Sequence, residues 1–199
     1  MTREDFLEKY WNFYLMLERK FVASLQYVEL DERNYSTFSM EYVSQILNIG
    51  SEIEVVIKEL LDIPQTERKN ITDYIRGLET KYSDIFSRKI KVKKYEIAPF
   101  DGLDKEKPSD LFWWKAYNEV KHGRGINFEN ANLKNTITLL ATLYLLEMYL
   151  LKKCITEEEP DIVDKETELF SIIDWQTKCL PINRTHMKLE GTTLHFNTP

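Results

Sequence analysis

Apolar residues recur along most of this chain at helical spacing, and five stretches carry the pattern. The first runs from about Arg3 to Val28, with Thr2 as its cap and Phe6, Tyr10, Phe13, Leu17, Phe21 and Val28 as its stripe. The second runs from about Ser39 to Leu61 and stops short of Pro64. Its row Tyr42, Ile46, Ile49, Ile53, Val56 and Leu60 is the seam of a bundle helix. A parallel row, Val43, Leu47, Gly50, Glu54, Ile57 and Leu61, contains a glycine where another helix can approach closely. The same row contains a carboxylate out of place. Glu54 either reaches the core edge to pair with a cation or belongs to a site. A third helix covers about Ile71 to Phe86. A fourth covers about Ser109 to Lys121, with Ser109 as cap. The fifth runs from about Phe128 to Lys153, and its apolar face is wide enough for a central helix.

Two stretches break the pattern. Between Ser87 and Pro108 the cations Arg88, Lys89, Lys91, Lys93 and Lys94 alternate with Ile90, Val92 and Tyr95. Alternation predicts a strand or extended arm with one basic face, which is either a lysine-protected edge or a phosphate-contacting arm for RNA. From Thr156 onward the chain is first acidic, and then shows a hairpin pattern in which His186–Leu189 and Thr192–His195 flank Glu190-Gly191. The organisation expected is a helical bundle over 1–155, with the basic arm at 87–108, followed by an acidic linker and a small hairpin over 156–199. The fold class is all-α, a bundle of about five helices with a small β appendage.

Composition narrows the function classes. A hydrophobic share of 43% with 30% charged residues is that of a globular chain, and the net charge of −6 argues against an unspecific nucleic-acid coat. The apolar run from Ile137 to Leu151 is too short and too interrupted to span a bilayer, so no membrane partner is expected. Charged residues among the first nine positions interrupt any leading apolar run. Cys154 and Cys179 lack metal-type pairing, and a cytoplasmic protein with reduced thiols is expected. No phosphate-binding loop, complete GxGxxG, HExxH, CxxC or nucleophile elbow is present, and no cofactor or metal is expected.

The segment from Leu111 to Arg124 concentrates the chemistry. Two tryptophans, Trp113 and Trp114, open it; Asn118 and His122 share one helix face; and Lys121 and Arg124 flank the histidine before Gly123 and Gly125. Histidine titrates near neutrality and serves as a general acid or base. The alternative is a helix end where cations meet the negative dipole.

Tyr117-Asn118-Glu119-Val120-Lys121-His122 resembles the signature of the HEPN superfamily, an arginine, a polar residue, three further residues and a histidine on a late helix. Asn118 and His122 match, and Tyr117 stands in the arginine's place. The pair Trp113-Trp114, the YNxVKHxR string, the Leu-rich helix after it, and Glu54 with Lys58 on an earlier helix are also similar to bacterial HEPN-like proteins. Many such proteins are metal-independent RNA endonucleases of toxin–antitoxin or antiviral defence systems, acting as homodimers. Others are inactive modules that bind RNA, a nucleotide or a protein partner such as an antitoxin. The resemblance implies that His122 moves the proton, that Asn118 orients it or the phosphate, and that Lys121 or Arg124 supplies positive charge. Tyr117 can only donate a hydrogen bond, with Glu54, Lys58 and Trp114 in support. A structural subunit using its aromatic helices for oligomerisation is the third possibility.

Overall fold

The computed structural model describes residues 1–160, 162–177, 186–190 and 193–197. The fold is mostly helical, with a small three-stranded antiparallel sheet against the bundle.

The N-terminal stretch is one helical rod with an internal change of pitch. α1 (Arg3–Phe6) passes into a π-helical turn (Leu7–Trp11) and then α2 (Asn12–Ser24). Thr2 caps it as expected, in a reciprocal capping box with Asp5. The π turn inserts a residue and so shifts the buried stripe. The core receives Phe6, Trp11, Tyr14, Leu17 and Phe21, whereas Tyr10 and Phe13 are only half-buried. Straight α periodicity put Tyr10 and Phe13 in that stripe and left Trp11 and Tyr14 out. The rod ends at Ser24, four residues earlier than expected. There the Ser24 hydroxyl bonds to the Phe21 carbonyl and competes with the helical ladder.

α3 (Met40–Leu61) follows the predicted seam, and every residue of the row from Tyr42 to Leu60 is buried. Ser39 caps it, and Asp62 closes it in the left-handed conformation. α4 (Ile71–Lys81) starts at an Asn70 cap and stops short of the expected Phe86. Tyr82 leaves helical geometry, and Ser83–Ser87 tighten into a 3-10 turn. α5 (Phe112–Gly123) begins after a 3-10 turn at Pro108–Asp110. Ser109 therefore lies inside that turn and does not cap the helix. α6 (Leu133–Cys154) begins later than predicted. Asn132 caps it, because Phe128–Asn130 form their own 3-10 turn and the Phe128 ring meets Phe38 edge-on at 5.5 Å.

α6 is the axis of the bundle. It packs against α3 along its length, with α1, α2 and α5 around it. Every residue from Thr136 to Leu151 is buried. Its threonines are accommodated there because the hydroxyls of Thr136, Thr138 and Thr142 donate to carbonyls one turn back, at 2.7–2.8 Å.

The arm folds into a hairpin, β1 (Ile90–Val92) and β2 (Tyr95–Ile97), turning at Lys93, whose φ is +50°. β1 is not an edge. β3 (Phe170–Ile172) pairs with its other side, so that Ile90 lies opposite both Ile97 and Ile172. Ile90 and Val92 are buried and Lys91 points out. The segment leading to β3 was expected as a linker, but it is moored to the rod. Arg3 reaches Asp164 at 2.8 Å, and the Trp11 indole donates to the Lys165 carbonyl at 2.8 Å. Buried Glu18 accepts from the Tyr14 hydroxyl, the Thr167 hydroxyl and the Glu168 amide. The expected C-terminal hairpin is present as β4 (His186–Glu190) and β5 (Thr193–Asn197), paired antiparallel. Its connecting Gly191 and Thr192 fall outside the described residues, as does Cys179.

Leu140 is fully buried on α6. Leu140→Ala should cost roughly 2–5 kcal/mol, read as a lowered midpoint in denaturant titration. An unchanged midpoint would show that this face of α6 is not core.

Candidate functional site

α5 is held by its aromatic face. Trp113 is buried and its indole donates to the Pro99 carbonyl at 2.6 Å. Trp114 meets Trp113 edge-on at 6.1 Å and Tyr117 at 5.5 Å. Tyr117 rests against α3 where the glycine opens a seat. A Cβ at position 50 would lie 2.3 Å from the Tyr117 ring. The odd carboxylate and the close-approach glycine of α3 thus serve the same residue. The Tyr117 hydroxyl donates to Glu54 Oε1 at 2.8 Å. Lys121 Nζ then donates to the Tyr117 oxygen at 2.9 Å and lies 3.3 Å from Glu54 Oε1.

This arrangement sets the protonation states. Burial pushes the Tyr117 hydroxyl up to about 12, partly offset by the Lys121 amine beside it, so the phenol stays a donor near neutrality. For Lys121, burial acts to lower the amine. The Tyr117 hydrogen bond and the Glu54 charge outweigh it and hold the amine above its ordinary value. Lys121 is therefore a cation with a counter-charge already in place.

The other motif residues sit around this triad. The Asn118 amide donates to the Trp114 carbonyl at 2.9 Å and is partly buried. His122 and Arg124 are exposed, and neither has a side-chain partner among the described residues. Beside the triad lies a cleft of about 390 Å³, walled by Glu54, Lys69, Asn70, Trp114, Lys115, Asn118, Glu119 and Lys121. It joins Asn118, Lys121, Glu54 and Trp114, and His122, Arg124 and Lys58 are not among its walls. Lys58 was expected in support of the site, but it donates to the Gln65 carbonyl at 3.0 Å and fastens the α3–α4 connection. Lys69 and Asn70 were not foreseen. They enter from the start of α4, and nothing in their own sequence marks them. Lys69 is paired with Glu67 at 2.8 Å, whereas Lys115 has no acidic partner among the described residues.

The basic arm is largely neutralised. Lys89 pairs with Glu96 at 3.3 Å, Lys93 with Glu29 at 3.2 Å and Lys94 with Asp31 at 3.7 Å. Arg88 is tied to Asp84 and to the Tyr149 hydroxyl. Lys91 alone of the five has no acidic partner among the described residues. The described residues contain no group of three His, Cys, Asp or Glu side chains arranged to hold a metal ion, and no helix long and apolar enough to cross a membrane. No family model, curated protein or solved structure matches this chain.

Gly50→Ala tests the seat. Alanine in a helix ordinarily adds up to about 1 kcal/mol of stability over glycine. Here the Cβ drives into the Tyr117 ring, so a net loss of roughly 1–3 kcal/mol is expected, read by chemical denaturation. A gain in stability would mean that Tyr117 does not rest on Gly50.

Proposed function

We propose that this chain is a HEPN-like helical module that binds RNA at the cleft beside Asn118 and Lys121 and does not cut it. The observation that carries this reading is the Glu54–Tyr117–Lys121 triad. Cleavage through the ribose 2′-hydroxyl needs a cation free to answer the charge that develops on the phosphate. Tyr117 stands where the family's arginine stands, and Lys121 is already answered by Glu54. Binding asks for less. Lys115, Lys121 and the Asn118 amide border one cleft, and phosphate contacts of that kind hold RNA without reading its sequence. The family resemblance suggests a bacterial toxin–antitoxin or antiviral setting, with a second copy or an antitoxin as protein partner.

A second reading is the metal-independent endonuclease. The exposure of His122 beside an exposed Arg124 favours it, since both are open to a substrate or to a second copy. In that case purified protein would cut single-stranded RNA in excess chelator and leave 2′,3′-cyclic ends. His122→Ala would lose at least about 10²-fold.

The binding reading is tested with a fluorescent single-stranded oligonucleotide titrated at several salt concentrations. Lys115→Glu with Lys121→Glu should weaken binding and flatten the salt dependence by about 1.4 in log–log slope, the share of two single-strand phosphate contacts. Lys89→Glu with Lys93→Glu, on the neutralised arm, should leave both near wild type. Equal losses from the two pairs would mean that the cleft has no special part. Undetectable binding by the wild type would remove RNA as the ligand.

A further inference from the structure

Glu147 is the one acidic residue on the fully buried stretch of α6. Its side chain is 0% exposed, and neither carboxyl oxygen has a hydrogen-bond partner among the described residues. Unlike the nearby threonines, it does not bond back to its own helix. The groups that share its electrostatic surroundings are an acid, a phenol and a thiol. Glu52, half-buried on α3, adds its charge to that of Glu147 and has no cation paired with it among the described residues. From the π turn of the rod comes Tyr10, whose ring lies in the field of Glu52, Glu59 and Glu147 and whose hydroxyl meets Glu59 at 3.5 Å. On α6 itself, Cys154 feels Glu147 further along. Of the cations in this region, the Met1 amine acts on Cys154, and two lysines are engaged by other groups. Lys153 donates to the Glu59 and Leu60 carbonyls and to Asp62, and Lys9 pairs with Asp5.

An unpaired carboxylate inside a core is among the least favourable arrangements a fold can hold, whereas the neutral acid is tolerated. Tyr144, one turn before Glu147 on α6, packs on Trp11 and Tyr14 of the rod, at 6.3 and 5.8 Å between ring centres, so Glu147 lies beneath the rod. We infer that the proton on Glu147 governs how the N-terminal rod sits on the α3–α6 pair, closed while Glu147 keeps its proton and loosened when it loses it. Burial, with Glu52 beside it, raises the Glu147 carboxyl well above its ordinary range, and burial pushes Glu52 up to about 7. The closed seam therefore holds more protons than the open one, and its stability falls as pH rises from the ordinary carboxyl range through these raised values. The consequence reaches further than the rod. Arg3, Trp11, Tyr14 and Glu18, which moor the segment ending in β3, all lie on it. Loosening the rod releases that segment too, and with it the strand that covers one side of β1.

Hydrogen exchange of the intact protein, corrected for intrinsic rates and referenced to α4, reads this directly. Between about pH 6 and about pH 8.5 the amides of the rod and of residues 162–172 should lose protection together, by about tenfold or more relative to α4. Glu147→Gln should leave only the part of the loss that Glu52 contributes below about pH 7, and Glu52→Gln, which removes a charge that raises Glu147, should make the loss smaller. Glu147→Met, apolar and similar in volume, gives the same readout should the amide fail to fold. The inference is overturned if the wild type shows no pH-dependent loss. It is also overturned if Glu147→Gln or Glu147→Met loses protection over the same range as the wild type.

Discussion

A helix buried on every side must satisfy its polar groups within itself or through its neighbours, and α6 lives under that constraint from Thr136 to Leu151. Its threonines meet the constraint by bonding back along the helix, and its leucines meet α3 on one side and the rod on the other. Everything else is arranged as cover. The rod supplies Phe6, Trp11 and Tyr14, brought inward by the π turn, and the Tyr14 ring reaches Tyr144 of α6 at 5.8 Å. α5 packs against another part of α6, and β3 lays Phe170 on Tyr144 at 5.6 Å. Glu147 is the exception to the rule that organises the helix.

The candidate site is a by-product of this cover. α5 can approach α3 closely because position 50 has no side chain, and the approach brings Tyr117, Glu54 and Lys121 into one hydrogen-bonded group. The same contact that seats the helix engages Lys121, the residue before His122. A pair this exposed contributes little to stability, on the order of 1 kcal/mol or less. Its effect is on charge: the Lys121 amine is compensated before any phosphate arrives. The arm shows the same economy at larger scale. Its cations are matched by Glu29, Asp31, Asp84 and Glu96, so most of the basic face apparent in sequence is an internal ion-pair surface.

What the sequence discloses and what it hides follow from range. The seam of α3 is legible because each of its residues answers one helical period, and Glu54 is legible because it breaks that period. Its partner Lys121, 67 residues on, is not, since periodicity carries no information about which helix will face which. The π turn is invisible to a fixed 3.6-residue period, because one inserted residue moves the stripe from Tyr10 to Trp11. The start of α6 is hidden because apolar Phe128 continues the pattern that Asn132 interrupts. The alternation around Ile90 and Val92 reveals a strand, but its place at the centre of a sheet depends on Phe170–Ile172, far along the chain. For the site, Asn118, Lys121 and Glu54 are foreseen and do line one cleft. Lys69 and Asn70 arrive from α4 and carry no local signal.

The proposed non-cleaving site rests on Tyr117, which shares Glu54 with Lys121, so that the Lys121 amine carries a counter-charge before any phosphate arrives. Single-turnover cleavage of a single-stranded RNA in excess chelator, by wild type and by Tyr117→Arg side by side, measures this most directly. The wild type should show no cleavage, and Tyr117→Arg should gain a His122-dependent cleavage at least about 10²-fold above it, the scale of one charge-stabilising donor. Wild-type protein that cuts the RNA as fast as Tyr117→Arg, and loses that activity on His122→Ala, would contradict this.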